Sequence, residues 1–111
     1  MGKFDDYVGE FTLKVGGVDL LFKDFTVKDK AFFVKFKDDS EKISGHLLEI
    51  LKRENPTDDP KKIEMFLIDH SEDLLFAFYH KFGWMKDEQY KVYLEGGAAA
   101  LGFMMAAKNG P

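Results

Sequence analysis

The chain has 111 residues, a net charge of −4 and no cysteine, and 45% of its residues are hydrophobic, twelve of them Phe. This is a usual length for one domain, and so many apolar side chains predict a core that needs no disulfide. The lack of cysteine excludes thiolate metal sites and favours a reducing, cytoplasmic location. Acidic and basic residues are interleaved without a basic stripe, which argues against a nucleic-acid partner.

No membrane association is predicted. The N-terminal MGKFDDYVGEF is acidic and lacks the continuous apolar core of a secretion signal. Asp6 occupies the position where a myristoylation signal needs Ser or Thr. The most apolar stretch, residues 96–107, has twelve residues, whereas a membrane-spanning helix needs about 20.

A β-hairpin is predicted for residues 10–23. Apolar and polar residues alternate in FTLKV, and Val18, Leu20 and Phe22 resume the alternation against Asp19 and Lys23, as in a strand with one buried face. Gly16 and Gly17 lie between these segments, and both can adopt the positive φ of a two-residue hairpin turn. The side chains predicted to face the core are Phe11, Leu13, Val18 and Phe22.

About four helices are predicted over residues 26–107, so the fold class is α+β and mostly α. Thr26 and Asp29 have the spacing of a capping pair at the start of the first helix. Residues 27–37 also suit a strand, because AFFVKF is rich in β-forming residues. Helix is favoured, and its predicted apolar face consists of Val27, Ala31 and Val34, widened by Phe32, Phe33 and Phe36.

The second predicted helix begins at a Ser40 cap and reaches Arg53, which is expected to pair with Glu49. Its apolar stripe has helical spacing and consists of Ile43, Leu47, Ile50 and Leu51.

The third predicted helix begins at Asp59-Pro60, an N-cap followed by a first-turn proline, and ends at Gly83. Asp69 and Glu72 can form a second cap, so a kink within this helix is an alternative. The last predicted helix runs from Lys86 to Ala107, where Gly96-Gly97 can divide it. All elements are assigned to a single domain, 1–111.

No catalytic, cofactor-binding or metal site is predicted, and the protein is not expected to be an enzyme. His70, Asp73 and His80 do not have the spacing of ligands on one helix. These histidines and His46 are expected to be at least half-buried and to bond a backbone carbonyl. The acidic pairs, Asp5-Asp6, Asp38-Asp39 and Asp58-Asp59, are interpreted as caps and turns.

Two apolar segments are candidate interfaces. One is the aromatic run 74–84, which also suits a central core helix. The other is the C-terminal apolar helix 97–107, where small residues recur every four positions. The candidate interface residues are Ala98, Leu101, Gly102, Phe103, Met104, Met105, Ala106, Phe78, Phe82 and Trp84. We expect a protein partner, most simply other copies of the chain in a homo-oligomer.

The segment EFTLKVGGVDLLFKDFTVKD, residues 10–29, has the order strand, glycine turn, strand and capped helix entry. In this order and in its size, the chain resembles the small tail-assembly chaperones of long-tailed bacterial and archaeal viruses. The resemblance implies a protein that oligomerises in the host cytoplasm and keeps the tape-measure protein soluble until tail-tube proteins replace it. Residues 107–109, Ala-Lys-Asn, can be encoded by the slippery heptamer that many such viruses use to make an extended form. Two alternatives stay open: a small cellular adaptor or regulator that binds a partner helix or peptide, and a structural virion connector.

Overall fold

The computed structural model describes the backbone of residues 9–109 and the side chains of residues 9–104. In this range a two-stranded antiparallel hairpin precedes four helices, which confirms the α+β, mostly α fold class. The elements are β1 Phe11–Val15, β2 Val18–Phe22, α1 Val27–Lys35, α2 Ser40–Glu54, α3 Pro60–Lys81 and α4 Asp87–Asn109.

The chain divides into two compact units, the first ending at Leu74 and the second beginning at Leu75, within α3. The core of the first unit is rich in large side chains with almost no exposed surface, including Phe22, Phe33, Leu47, Ile50 and Leu51. In the second unit, Met85, Tyr93 and Leu101 form a buried cluster against which Phe76, Tyr79 and Tyr90 pack. The assignment of residues 1–111 to a single domain stays a prediction.

The hairpin has the predicted glycine turn. Gly16 and Gly17 have φ values of 57° and 78°, and Phe11 lies opposite Phe22 in the strand register. Phe11, Leu13 and Phe22 are buried as predicted.

The prediction for Val18 is wrong, because 45% of this residue is exposed. Val18 lies opposite Val15 in the register, and paired residues of antiparallel strands point to the same face of the sheet. Val15 is nevertheless buried. The hairpin face is therefore well covered on β1 but only partly covered beside the turn on β2.

Residues 27–35 form a helix rather than a strand, with the predicted capping box. The Thr26 amide donates a hydrogen bond to Oδ2 of Asp29 (3.0 Å), and the Asp29 amide donates one to Oγ1 of Thr26 (3.4 Å). These bonds satisfy two backbone donors that would have no partner at a helix start.

The predicted apolar face of α1 is wrong for Val27, Ala31 and Val34, which are exposed. Phe33 is buried as predicted, and Asp29 is buried with it. The Phe33 ring stacks on Phe25 with a centroid distance of 6.4 Å. A phenylalanine ring buries far more apolar area than valine or alanine, so α1 is oriented to bury Phe33.

In α2 the predicted stripe of Ile43, Leu47, Ile50 and Leu51 is buried. The N-cap is Asp39 rather than Ser40, because Oδ1 of Asp39 accepts the Lys42 amide at 3.1 Å.

α3 begins at Pro60 as predicted, and the Asp59 carboxylate accepts the Lys61 amide at 3.0 Å. Its helical geometry is interrupted at His70, with φ −131° and ψ 21°, beside the predicted alternative cap. α4 is interrupted at Gly97, whose φ of 77° and ψ of −172° are outside the helical region. None of the helices in the described part of the chain is long and apolar enough to span a membrane.

Candidate protein-binding surfaces

A charged side chain is buried in the first unit. Only 5% of Asp29 is exposed, and its carboxylate accepts hydrogen bonds from Nη2 of Arg53 at 2.8 Å and from Nη1 at 3.3 Å. The two residues are 24 positions apart, on the first turn of α1 and the last turn of α2. The pair therefore ties the start of one helix to the end of the next.

Burial by itself would raise the pKa of the Asp29 carboxyl. The hydrogen bonds from Arg53 and from the Thr26 amide outweigh this effect, so the pKa of Asp29 is below its ordinary value. In turn, the hydrogen bond to Asp29 raises the pKa of the Arg53 guanidinium. Both groups are charged at neutral pH. Arg53 was expected to pair with Glu49, but its partner is Asp29.

His46 lies on the other side of the same carboxylate. Its Nε2 atom is 3.1 Å from Oδ1 of Asp29, in an orientation that does not form a hydrogen bond, and this atom is buried. The imidazole stacks on the Phe32 ring with a centroid distance of 4.1 Å. Aromatic packing thus holds His46 in place. The prediction that it bonds a backbone carbonyl is wrong.

The other two histidines also contact carboxylates rather than carbonyls. Nδ1 of His70 lies 3.1 Å from Oδ2 of Asp73, one helical turn away. Nε2 of His80 lies 2.6 Å from Oδ1 of Asp87, across the loop that follows α3. Among the described residues, no three His, Asp or Glu side chains are arranged to hold a metal ion.

The acidic pairs have the expected roles where they are described. Asp39 caps α2 and Asp59 accepts an amide at the start of α3. Asp5-Asp6 lies outside the described residues. Asp39 and Asp59 therefore cap the N-termini of α2 and α3.

The predicted interface residues divide by exposure. Phe103 is 80% exposed and Trp84 is 42% exposed, and Ala98 and Gly102 are also exposed. Phe82 and Met104 are half-buried, while the side chains of Met105 and Ala106 lie outside the described part. Phe78 and Leu101 are buried. These two side chains therefore have almost no exposed surface in the single chain, and the candidate interface as a whole stays a prediction.

The part of α4 after Gly97 has two contrasting sides. Leu101 points into the core of the second unit with Met85 and Tyr93. The opposite side, which we call the α4 arc, consists of four exposed residues with no polar side chain: Ala98, Ala99, Gly102 and Phe103. A β-carbon added at Gly102 would have no atom within 4 Å, so this position is open.

A second apolar surface, between α2 and α3 in the first unit, was not predicted from the sequence. Its groove is lined by Gly45, Leu48 and Leu67 among others. Met65 and Ile68 are 64% and 79% exposed on α3. In the sequence, Met65 and Ile68 lie off the apolar stripe that helical spacing gives α3, which consists of Ile63, Phe66, Leu67, His70, Leu74, Ala77 and Phe78. Two large apolar residues outside this stripe were the signal available in the sequence.

A cavity of about 240 Å³ lies in the first unit, between β2, the end of α2 and the start of α3. Its apolar lining consists of Val18, Leu20, Leu51, Ile63 and Phe66. Its polar lining consists of Asp19, Asn55, Asp58, Asp59 and Lys62. The exposure of Val18 is explained by its position at the edge of this cavity.

No protein-family model matches the chain, and neither a curated protein nor a solved structure is significantly similar to it. The exposed apolar surfaces and the cavity are therefore the features from which a role can be inferred.

Proposed function

We propose that this protein is a non-catalytic assembly protein that binds apolar helices, of other copies of the chain and of a client protein, through the α4 arc. The observation that supports the proposal is that the exposed residues described on this side of α4, from Ala98 to Phe103, have no polar side chain. A surface helix normally has polar residues on the side that faces water. An uncovered apolar patch is typical of a protein–protein interaction site.

The composition of the α4 arc suits helix packing. Ala98 and Gly102 are one turn apart and small, so a second backbone can approach closely. Phe103 provides a large anchor beside them, and burial of a phenylalanine stabilises a complex by about 1.5–3 kcal/mol. A micromolar complex needs roughly 8 kcal/mol in total. Association must therefore bury the neighbouring small residues as well as the Phe103 ring.

In the more specific form of the proposal, the protein is a viral tail-assembly chaperone that acts in the host cytoplasm. The client is then the tape-measure protein, whose apolar helices stay soluble until tail-tube proteins replace the chaperone. Support for this form comes from the resemblance of residues 10–29, and from the hairpin and capped helix that these residues form.

The test of self-association is Phe103→Asp, measured by light scattering during size-exclusion chromatography over a range of concentrations. We expect the unmodified protein to be larger than a monomer and Phe103→Asp to shift it to a smaller species with the same circular dichroism. The control is Val34→Asp, which changes a 58% exposed apolar residue on α1 and should leave the size unchanged.

The more specific form is tested by sequencing the neighbouring genes and co-expressing the protein with a tape-measure protein encoded there. The unmodified protein and Val34→Asp should keep it in the soluble fraction, and Phe103→Asp should not. A protein that is monomeric at its highest soluble concentration, with equal client solubility for both variants, would contradict the proposal.

A further inference from the structure

The cavity beside β2 is too small for most cofactors. Its volume of about 240 Å³ is below the roughly 300–1,000 Å³ typical of small-molecule pockets. Its apolar walls, which include Leu20, Ile63 and Phe66, favour a single large apolar group. A phenylalanine or leucine side chain from a protein partner fits this description.

Three consecutive residues of β2, Val18, Asp19 and Leu20, line the cavity. Alternate side chains of a strand point to opposite faces, so lining by all three residues means that the cavity extends from the face that carries Val18 and Leu20 to the edge of β2. In the described part of the chain the sheet has only β1 and β2, so this edge of β2 has no neighbouring strand, and an extended peptide can pair with it.

The rim of the cavity is acidic, with Asp19, Asp58 and Asp59 against a single cation, Lys62. Asp59 already accepts an amide at the start of α3. The carboxylates of Asp19 and Asp58 form no ion pair or side-chain hydrogen bond with the described residues. The rim is net negative, and a net charge around an apolar cleft favours a partner of the opposite charge.

We infer that this cavity is a peptide-binding site. It takes one large apolar side chain from an extended segment of a partner protein that has lysine or arginine on either side of that anchor. All of its residues lie in the first unit, so this site is separate from the α4 arc and does not depend on the function proposed for that surface.

The probe is the synthetic peptide acetyl-Lys-Val-Phe-Val-Lys-amide, titrated into the full-length ¹⁵N-labelled protein and followed by NMR. We expect saturable shifts at the amides of Val18, Leu20 and Ile63, and weaker binding at higher salt because the rim is charged. Replacing the peptide's phenylalanine by alanine should weaken binding by about tenfold or more, as loss of one buried aromatic side chain does. Replacing both lysines by glutamate should also weaken it.

Variants of the rim separate the site from general charge effects. Asp19→Asn and Asp58→Asn should each weaken binding of the lysine peptide severalfold. The control Asp38→Asn makes the same charge change at an exposed position outside the cavity and should have no effect, as should Phe103→Asp. Equal binding of all three peptides, shifts confined to other surfaces, or equal effects of Asp38→Asn and Asp58→Asn would overturn the proposal.

Discussion

The hairpin turn lies directly against the imidazole of His70: a β-carbon at Gly16 would be 2.6 Å from Cε1 of that ring and 2.7 Å from Nε2. His70 is also the residue at which α3 departs from helical geometry. The turn and the kink therefore meet at a position where only glycine fits, for reasons of both space and backbone conformation.

Gly16→Ala should accordingly be more destabilising than Gly17→Ala. Both glycines have positive φ, so alanine at either position adds about 1–3 kcal/mol of backbone strain. A β-carbon at Gly17 has no atom within 4 Å, and only Gly16→Ala adds the clash with His70. Urea denaturation measures the difference. In a His70→Ala background, Gly16→Ala and Gly17→Ala should lower the free energy of unfolding by the same amount. If the two single variants already lower it equally in the presence of His70, the contact between the turn and the imidazole has no energetic effect.

The Asp29–Arg53 pair predicts a loss of stability in acid. A carboxyl whose pKa is lowered in the folded state stabilises the protein above its unfolded pKa, and this contribution disappears as the pH falls through the folded value. Asp29→Asn should cost about 1.5–3 kcal/mol at pH 7, as for hydrogen bonds to charged groups. The cost is below that of a fully buried pair because 35% of the Arg53 side chain is exposed.

The free energies of unfolding of the unmodified protein and of Asp29→Asn should converge as the pH falls through the lowered folded-state pKa of Asp29, below which both chains lack the carboxylate. Asp38→Asn, at an exposed position, serves as the matched control and should stay close to the unmodified protein at neutral and at acidic pH. If the difference in free energy of unfolding between Asp29→Asn and the unmodified protein instead grows as the pH falls, the pKa of Asp29 is not lowered by folding.

Phe22→Ala and Val18→Ala test the two ends of β2. Phe22 has no exposed surface and stacks on Phe11 with a centroid distance of 5.2 Å. Its truncation should cost about 3–5 kcal/mol in chemical denaturation. Val18 is 45% exposed, so Val18→Ala should cost much less, no more than about 0.5 kcal/mol. Comparable losses would mean that the cavity beside Val18 is closed in solution.

Gly102→Leu should change stability and assembly in opposite directions. Replacing an open helical glycine by leucine stabilises a helix by up to about 1 kcal/mol, whereas the added bulk prevents close approach of a second helix. We expect a higher thermal midpoint and a smaller oligomer.

Gly45→Leu is the matched control for this change, since Gly45 is an equally open helical glycine on α2. It should raise the thermal midpoint and leave the oligomer unchanged. If Gly45→Leu is the variant that reduces the oligomer, the groove between α2 and α3 is the interface instead of the α4 arc.

Features that depend on neighbouring residues were predictable from the sequence. The Gly16-Gly17 turn, the Thr26–Asp29 capping box and the Pro60 helix start each involve backbone groups within a few positions, where residue type alone favours one conformation. The stripe of α2 was also predictable, because helical spacing places its apolar residues on one side whatever they pack against.

Other features were decided by the tertiary structure. Arg53 has Glu49 one turn away, yet it pairs with Asp29. Burial of Phe33 orients α1 so that the Asp29 carboxylate also lies in the core, where a charge needs a partner. Val18 has the correct alternation to be buried, but no side chain of the helices fills the space beside it. Residues far apart in the chain meet in these contacts, and spacing along the sequence carries no information about which of them will do so.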